Sequence, residues 1–172
     1  MEKPYFELMP GGWYCASNAI VADAVTLGKD SSLWFGVVAR GDMAPIVVGE
    51  RTNVQDIACL HVDPGIVMTI GNDVSIAHHA TVHCRSVGDA CLIGMHAVLL
   101  GGAVIGEGCV IAAGAIIKEN AVIPPRSLVV GVPGRIARDV TDAEYAANLY
   151  RATHYVETAR SWYLRGTGIA AT

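Results

Sequence analysis

The sequence is poor in aromatic and charged residues for its length. Its 172 residues include only two phenylalanines, and 16% of them are charged against 52% that are hydrophobic. A chain this apolar can bury a sizeable core, which argues against intrinsic disorder, and its size is that of one domain spanning residues 1–172. Because 19 glycines accompany so few phenylalanines, ordinary aromatic packing does not explain how this core is organised.

Basic clusters, long apolar runs and paired cysteines are also missing. The net charge is −4 and no Lys/Arg cluster stands out, which argues against a nucleic-acid partner. Glycines interrupt the longest apolar stretch, residues 91–106, so we expect no membrane span. The first ten residues lack an apolar run typical of a signal peptide. The five cysteines are odd in number and lack CxxC spacing, which favours a reducing, cytoplasmic location.

An internal repeat of six residues dominates the chain. An aliphatic residue recurs at every sixth position, and a small residue or proline follows four positions later. The aliphatic positions are Val87, Ile93, Leu99, Ile105, Ile111, Ile117, Ile123 and Val129. The upstream positions are Val21, Leu27, Leu33, Ala39, Val48, Val54, Leu60, Ile70, Ile76 and Val82.

This period fits neither a helix nor one alternating strand, and a β-sandwich explains the regular sixes poorly. It predicts an all-β solenoid over residues 15–135, a parallel β-helix of hexapeptide repeats. Three units make one triangular coil of about 18 residues, and coils stack at roughly 4.8 Å.

The repeat is irregular at three steps. Ala39 to Val48 spans nine residues, Leu60 to Ile70 spans ten, and Val82 to Val87 spans five. The two long steps predict loops around residues 43–45 and 63–67. Loops on a rigid solenoid often carry function.

The C-terminal segment has a different period. Thr141 followed by Glu144 has the spacing of a capping box, which predicts an α-helix over residues 141–165. We expect this helix to pack its apolar face on the outside of the prism. The residues of that face are Tyr145, Leu149, Ala152, Val156, Ala159 and Tyr163.

Counting coils places three histidines. His61 and His83 each follow an aliphatic position by one residue, and these positions are one full coil apart, so the two imidazoles stack on one face. His78 lies on another face and cannot easily join them within one chain. In a homotrimer, one face of each subunit meets a different face of the next, which would complete a three-histidine site with one open position, typical of catalytic zinc. The alternative is three unrelated surface histidines.

Two charged residues, Arg40 and Asp56, fall on the faces that carry these histidines. Arg40 stacks one coil below His61, and Asp56 stacks one coil below His78, so the two could pair across a trimer interface. For Arg40 and Asp42 the alternative is a structural salt bridge in a loop.

Another histidine pair is also in register. His79 and His96 stack on each other, and we expect them to be exposed. His79 remains an alternative to His78 as a ligand.

At this point the motifs resemble those of the γ-class carbonic anhydrases. They are Arg40-Gly41-Asp42, Asn53-Val54-Gln55-Asp56, Leu60-His61-Val62, Ile76-Ala77-His78 and Val82-His83. The resemblance covers nearly the whole chain. It implies a left-handed β-helix and a homotrimer with metal sites at its subunit interfaces.

The resemblance also implies roles for individual residues. His61, His78 and His83 would bind zinc, with iron or cobalt as alternatives. Gln55 would orient the metal-bound water. Arg40 and Asp56 would form the interface pair, and Asn53 and Asp42 would lie close by.

The chain departs from the most active members of that family in its two loops. Met43 stands where they carry a glutamate, and Asp63 is the nearest carboxylate in the second loop. Fast hydration requires a group that carries a proton away from the site. The departure therefore predicts slow turnover.

The sequence thus predicts hydration of CO2 to bicarbonate by a metal-bound hydroxide. One alternative is a hexapeptide acyltransferase or thioesterase acting on CoA esters. Others are a metal-dependent hydrolase and a non-catalytic metal-binding trimer.

Overall fold

A computed structural model describes residues 5–167, which form a left-handed parallel β-helix and one C-terminal helix. Residues 1–4, which belong to the first ten residues inspected for a signal peptide, and residues 168–172 lie outside the described range. No helix within residues 5–167 combines the length and apolar character needed to cross a bilayer.

The strands are short and most contain two or three residues. In chain order they are β1 Phe6–Leu8, β2 Tyr14–Ala16, β3 Ile20–Leu27, β4 Ser32–Leu33, β5 Val38–Val48, β6 Asn53–Val54, β7 Cys59–His61, β8 Met68–Ile70, β9 Ser75–Ile76, β10 Thr81–Val82, β11 Ser86–Val87, β12 Leu92–Ile93, β13 Val98–Leu99, β14 Val104–Ile105, β15 Val110–Ile111, β16 Ile116–Ile117, β17 Val122–Ile123, β18 Ser127–Val130 and β19 Arg135–Asp139. The helix α1 spans Asp142–Thr167, against the expected residues 141–165.

The strands form three faces of a prism. Face A contains β2, β4, β6, β9, β12, β15 and β18 in parallel, with β1 and β19 pairing antiparallel at its two ends. Face B contains the first halves of β3 and β5, followed by β7, β10, β13 and β16. Face C contains the second halves of β3 and β5, followed by β8, β11, β14 and β17.

The repeat determines the register of the coils. Val82 on β10 pairs with Leu60 on β7 below it and with Leu99 on β13 above it, as the coil counting predicts. All three are fully buried, and they form part of a column of aliphatic side chains inside the prism. Burying each such side chain contributes roughly 1.5–3 kcal/mol, which makes this column the main source of stability.

Glycine often follows the aliphatic position because neighbouring coils approach closely there. A Cβ added to Gly88 would lie 2.6 Å from the backbone nitrogen of Glu107, in the next coil. A side chain at this position would force the two coils apart.

The two long steps differ in structure. The prediction of a loop around residues 43–45 is wrong, because β5 continues through these residues. The additional residues are accommodated by a shift in register against β3, between Asp23 and Val25, so that β5 bulges while remaining hydrogen-bonded. The second loop is confirmed: residues 62–67 lie between β7 and β8 and turn at Pro64 and Gly65.

The helix α1 begins with the predicted capping box. The backbone N–H of Thr141 donates to Glu144 Oε2 at 2.9 Å, and the N–H of Glu144 donates to Thr141 Oγ1 at 3.2 Å. The helix packs against face A. The predicted buried face is wrong at Leu149, which is exposed, whereas Asn148 is buried and donates from Nδ2 to the carbonyl of Ala90 at 3.0 Å. A corner carbonyl of the prism needs a donor there, which leucine lacks.

Most of the aromatic side chains lie outside the prism. Phe6 and Trp34 pack together on face A, and Tyr155 and Trp162 cover them from α1. The aromatics therefore form a second, smaller core that attaches the helix to the lower coils.

Candidate metal centre

Two histidines stack on face B. His61 ends β7, and His83 follows β10 directly, in the same register position one coil above. Their ring centroids are 5.1 Å apart, so both imidazoles lie beside one another on a single surface. The arrangement follows from the repeat, because the interior residues Leu60 and Val82 fix the direction of the side chains that follow them.

The third histidine lies apart from this pair. His78 is at the corner that joins face A to face B, two residues after the buried Ile76. Within the described residues, no group of three or more His, Cys, Asp or Glu side chains could hold a metal ion. One chain therefore brings two of the predicted ligands together and keeps the third on another face.

Each of the three histidines has an aspartate beside it. His61 Nε2 lies 3.2 Å from Asp42 Oδ1, and His83 Nε2 lies 2.9 Å from Asp63 Oδ1. His78 Nδ1 lies 2.8 Å from Asp56 Oδ2. Carboxylates in this position orient metal-binding histidines and make the other ring nitrogen a better donor.

This donor set fits a divalent metal ion. In each histidine one ring nitrogen faces the aspartate, and the other would be available to a metal ion. Neutral imidazole nitrogens are ligands that zinc, iron and cobalt accept.

Arg40 lies below the histidine pair on the same face. Its guanidinium forms an ion pair with Asp42, two residues further along β5. Burial raises the pKa of Asp42, but the hydrogen bond and positive charge of Arg40 outweigh this effect, and the pKa lies below its ordinary value. The predicted pair between Arg40 and Asp56 of another subunit stays a prediction.

Gln55 and Asn53 are buried where α1 covers face A. Gln55 Nε2 donates to Asn53 Oδ1 at 2.9 Å, and Asn53 Nδ2 donates to Ser75 Oγ at 2.9 Å. Gln55 lines the same groove as His78. The structure therefore brings Gln55, held by Asn53, next to one predicted ligand, whereas Arg40 and Asp42 lie next to another.

The groove between face A and α1 has a volume of about 610 Å³ and a mostly apolar lining. Arg151 and Tyr155 of α1 join His78 and Gln55 in its wall. Burial, together with the charge of Asp56, raises the pKa of Tyr155, and Arg151 opposes this shift. Sequence reasoning missed both helix residues, although their spacing of four places them on one helix face.

A second cavity of about 330 Å³ lies above the histidine pair. Asp63, His83 and Glu119 are among the residues that line it. Glu119 was also missed, yet the same coil counting places it at the corner that follows face B, because it comes two residues after Ile117, which pairs with Leu99.

The remaining histidine pair stacks as predicted. The rings of His79 and His96 are 4.6 Å apart and nearly parallel, at 8°, and both residues are exposed. Because the rings lie face to face, their nitrogens do not point toward a common ion.

Comparisons with known proteins agree with this fold. Residues 86–119 match the family profile "Bacterial transferase hexapeptide (six repeats)". A crystal structure of a hexapeptide transferase family protein from Anaplasma phagocytophilum superposes with a TM-score of 0.76 at 31% identity, over 86% of this chain and 90% of that one. The fold thus defines a hexapeptide-repeat protein.

Curated relatives identify one family among the hexapeptide-repeat proteins. A carbonic anhydrase of Geobacillus kaustophilus is 43% identical over 83% of this chain and 81% of its own length. Gamma carbonic anhydrase 1 of Arabidopsis thaliana is 37% identical over 86% of this chain, which spans 56% of that mitochondrial protein. The chain belongs to the γ-carbonic anhydrase family.

Proposed function

We propose that this protein is a homotrimer that hydrates CO2 to bicarbonate at metal sites between its subunits. His61 and His83 of one protomer and His78 of the next hold zinc, or alternatively iron or cobalt. A metal ion held by three histidines supplies a water whose pKa is lowered to about 7, so that a strong nucleophile exists at neutral pH.

One observation carries this proposal. Two imidazoles, each beside its own aspartate, share face B, while the third histidine of the motif lies at the corner of face A. Rotation about a threefold axis parallel to the prism brings different faces of identical subunits together. Such a rotation would bring His78 of one subunit toward His61 and His83 of the next.

The neighbouring side chains have distinct roles in this proposal. Gln55 accepts a hydrogen bond from the nucleophilic water and directs a lone pair toward the carbon of CO2. Asn53 holds Gln55, and Asp42 holds His61 and Arg40. The water gives up one proton for each bicarbonate formed. Met43 cannot accept that proton, which favours slow turnover.

The test combines metal analysis, mass and kinetics on the purified protein. We expect three chains per particle, close to one metal ion per chain, and CO2 hydration that disappears on chelation and returns with zinc. Preparation without oxygen checks for iron. A fully loaded trimer that hydrates no CO2 would identify a metal-binding protein without this activity, and a monomer would refute the proposal.

Groove size favours a second candidate, the hydrolysis or transfer of acyl groups from CoA esters. A groove of about 610 Å³ beside His78 is far larger than CO2 requires. Hydrolysis of acetyl-CoA or longer acyl-CoA without any CO2 hydration would favour this candidate. Acyl transfer that persists after chelation would favour a metal-free acyltransferase.

We also propose a cytoplasmic location. All five cysteines are free thiols, as expected in a reducing compartment.

A further inference from the structure

A buried chain of hydrogen bonds ends at the side chain of Gln55. Gln55 Nε2 donates to Asn53 Oδ1 at 2.9 Å. Asn53 Nδ2 donates in turn to Ser75 Oγ at 2.9 Å and to the carbonyl of Val74 at 3.4 Å. Gln55, Asn53 and Ser75 are at most 3% exposed, so water does not compete strongly for these contacts.

The direction of these hydrogen bonds is determined at the end farthest from Gln55, where Asn53 contacts the carbonyl of Val74. A backbone carbonyl can only accept hydrogen bonds, so the Asn53 group that faces Val74 must be the amide nitrogen. The Ser75 hydroxyl takes the second hydrogen of that nitrogen. The oxygen of Asn53 then faces Gln55, and Gln55 must offer its own nitrogen.

The second polar atom of the Gln55 amide is its oxygen, Oε1. No hydrogen bond from residues 5–167 ends on Gln55 Oε1, and within the same residues no fully buried side-chain oxygen or nitrogen lacks a partner. Oε1 is therefore accessible from the groove that His78 lines. A reversed amide would present an N–H donor at the same place.

We propose that Ser75 is a positioning residue that acts with Asn53 to keep the Gln55 amide oxygen facing the site. The catalytic consequence rests on the proposed function, because only a hydrating site needs an acceptor for the hydrogen of its nucleophilic water. The orientation of the amide does not depend on that function. Ser75 itself is fully buried and acts through its contact with Asn53.

The test compares two variants of nearly identical shape. Ser75→Thr keeps the hydroxyl and Ser75→Val removes it, so their difference isolates the hydrogen bond from steric effects. Ser86→Val is the matched control, because Ser86 occupies the same register position on face C, away from the site. Melting temperature and particle mass show whether each variant folds and assembles.

The first measurement is hydrogen exchange of the Gln55 side-chain amide by NMR, assigned through its absence in Gln55→Glu. We expect exchange to accelerate about fivefold in Ser75→Val, the effect of losing one ordinary hydrogen bond, and to stay unchanged in Ser75→Thr and Ser86→Val. Equal exchange in Ser75→Val and Ser75→Thr would overturn the proposal.

The second measurement is CO2 hydration by the metal-loaded variants. We expect Ser75→Val to lower kcat about fivefold with KM within about twofold, and Ser75→Thr to restore kcat. Faster amide exchange with unchanged kcat would refute the catalytic part alone. A wild-type protein without hydration would refute the proposed function, while the exchange measurement would still decide whether Ser75 holds the Gln55 amide.

Discussion

The coils formed by residues 38–83 and those formed by residues 86–130 share one interior and differ on the outside. Leu60 and Val82 in the lower coils are as deeply buried as Leu99 and Ile117 in the upper coils. All eight site residues predicted from the sequence lie in the lower coils, where two of the aliphatic steps contain additional residues. The upper coils keep the six-residue period throughout.

The difference shows that the interior side chains stabilise the fold, whereas outward side chains form the candidate site. The interior column requires only an aliphatic side chain at each step, so the outward positions are free to vary. In the lower coils these positions hold histidines, aspartates and the Gln55 amide, and the additional residues of β5 and the 62–67 loop supply Asp42 and Asp63 as histidine partners. The upper coils carry mostly small or apolar residues at the corresponding positions. Substitutions in the two regions should therefore have different effects.

The largest effect should come from His83→Ala in the lower coils. Removing a neighbouring hydrogen-bond partner already lowers metal affinity 10–100-fold, so removing a ligand should lower it by more than about 100-fold. Metal analysis after gel filtration measures the loss. His96→Ala is the control, since His96 is exposed and stacks only on His79. Wild-type metal content in His83→Ala would contradict the proposed ligand set.

In the upper coils, Leu99→Ala should lower stability and leave the site intact. Leu99 is fully buried, and a cavity of this kind lowers the free energy of unfolding by about 3 kcal/mol. Denaturant unfolding at one fixed protein concentration measures this change, with metal content as the second reading. Val122→Ala, at a position 71% exposed, should change stability by less than about 0.5 kcal/mol. Loss of metal in folded Leu99→Ala would show that the two regions are coupled.

The smallest effect should come from Glu144→Gln at the start of α1, outside both groups of coils, and it should concern only the pH dependence of stability. The hydrogen bond from Arg138, with further bonds from Thr141, lowers the pKa of Glu144 from 4.5 to about 2. A lowered pKa stabilises the folded state above the unfolded value, and this contribution disappears as the pH falls from 4.5 toward 2. Glu144→Gln should remove that part of the pH dependence.

Melting temperatures between pH 2 and pH 6 check this last prediction. Glu157→Gln, at an exposed position of the same helix, is the control. Identical pH profiles for wild type and Glu144→Gln would contradict it.

The sequence was sufficient to predict the coils and the directions of their side chains. The six-residue spacing correctly placed His61 above Arg40 and below His83, because register in a β-helix follows directly from counting. It also predicted the capping box at Thr141, which depends only on local residues.

Features that depend on contacts between distant segments were not predictable in this way. The continuous β5 depends on pairing with β3, which the spacing within β5 does not reveal. Arg151 and Tyr155 join the groove only because α1 folds back along face A. Leu149 was placed on the wrong side of α1, because periodicity does not indicate that the carbonyl of Ala90 requires Asn148.

The antiparallel strands β1 and β19 have a further consequence for the molecule. A stack of parallel coils has open edges at both ends, and a second molecule could extend either edge indefinitely. Here β1 runs against β2 and β19 runs against β18, so both terminal edges of face A are occupied by a strand of opposite direction. On face A the parallel stacking of coils therefore stops within the chain, which favours sideways over end-to-end association of copies.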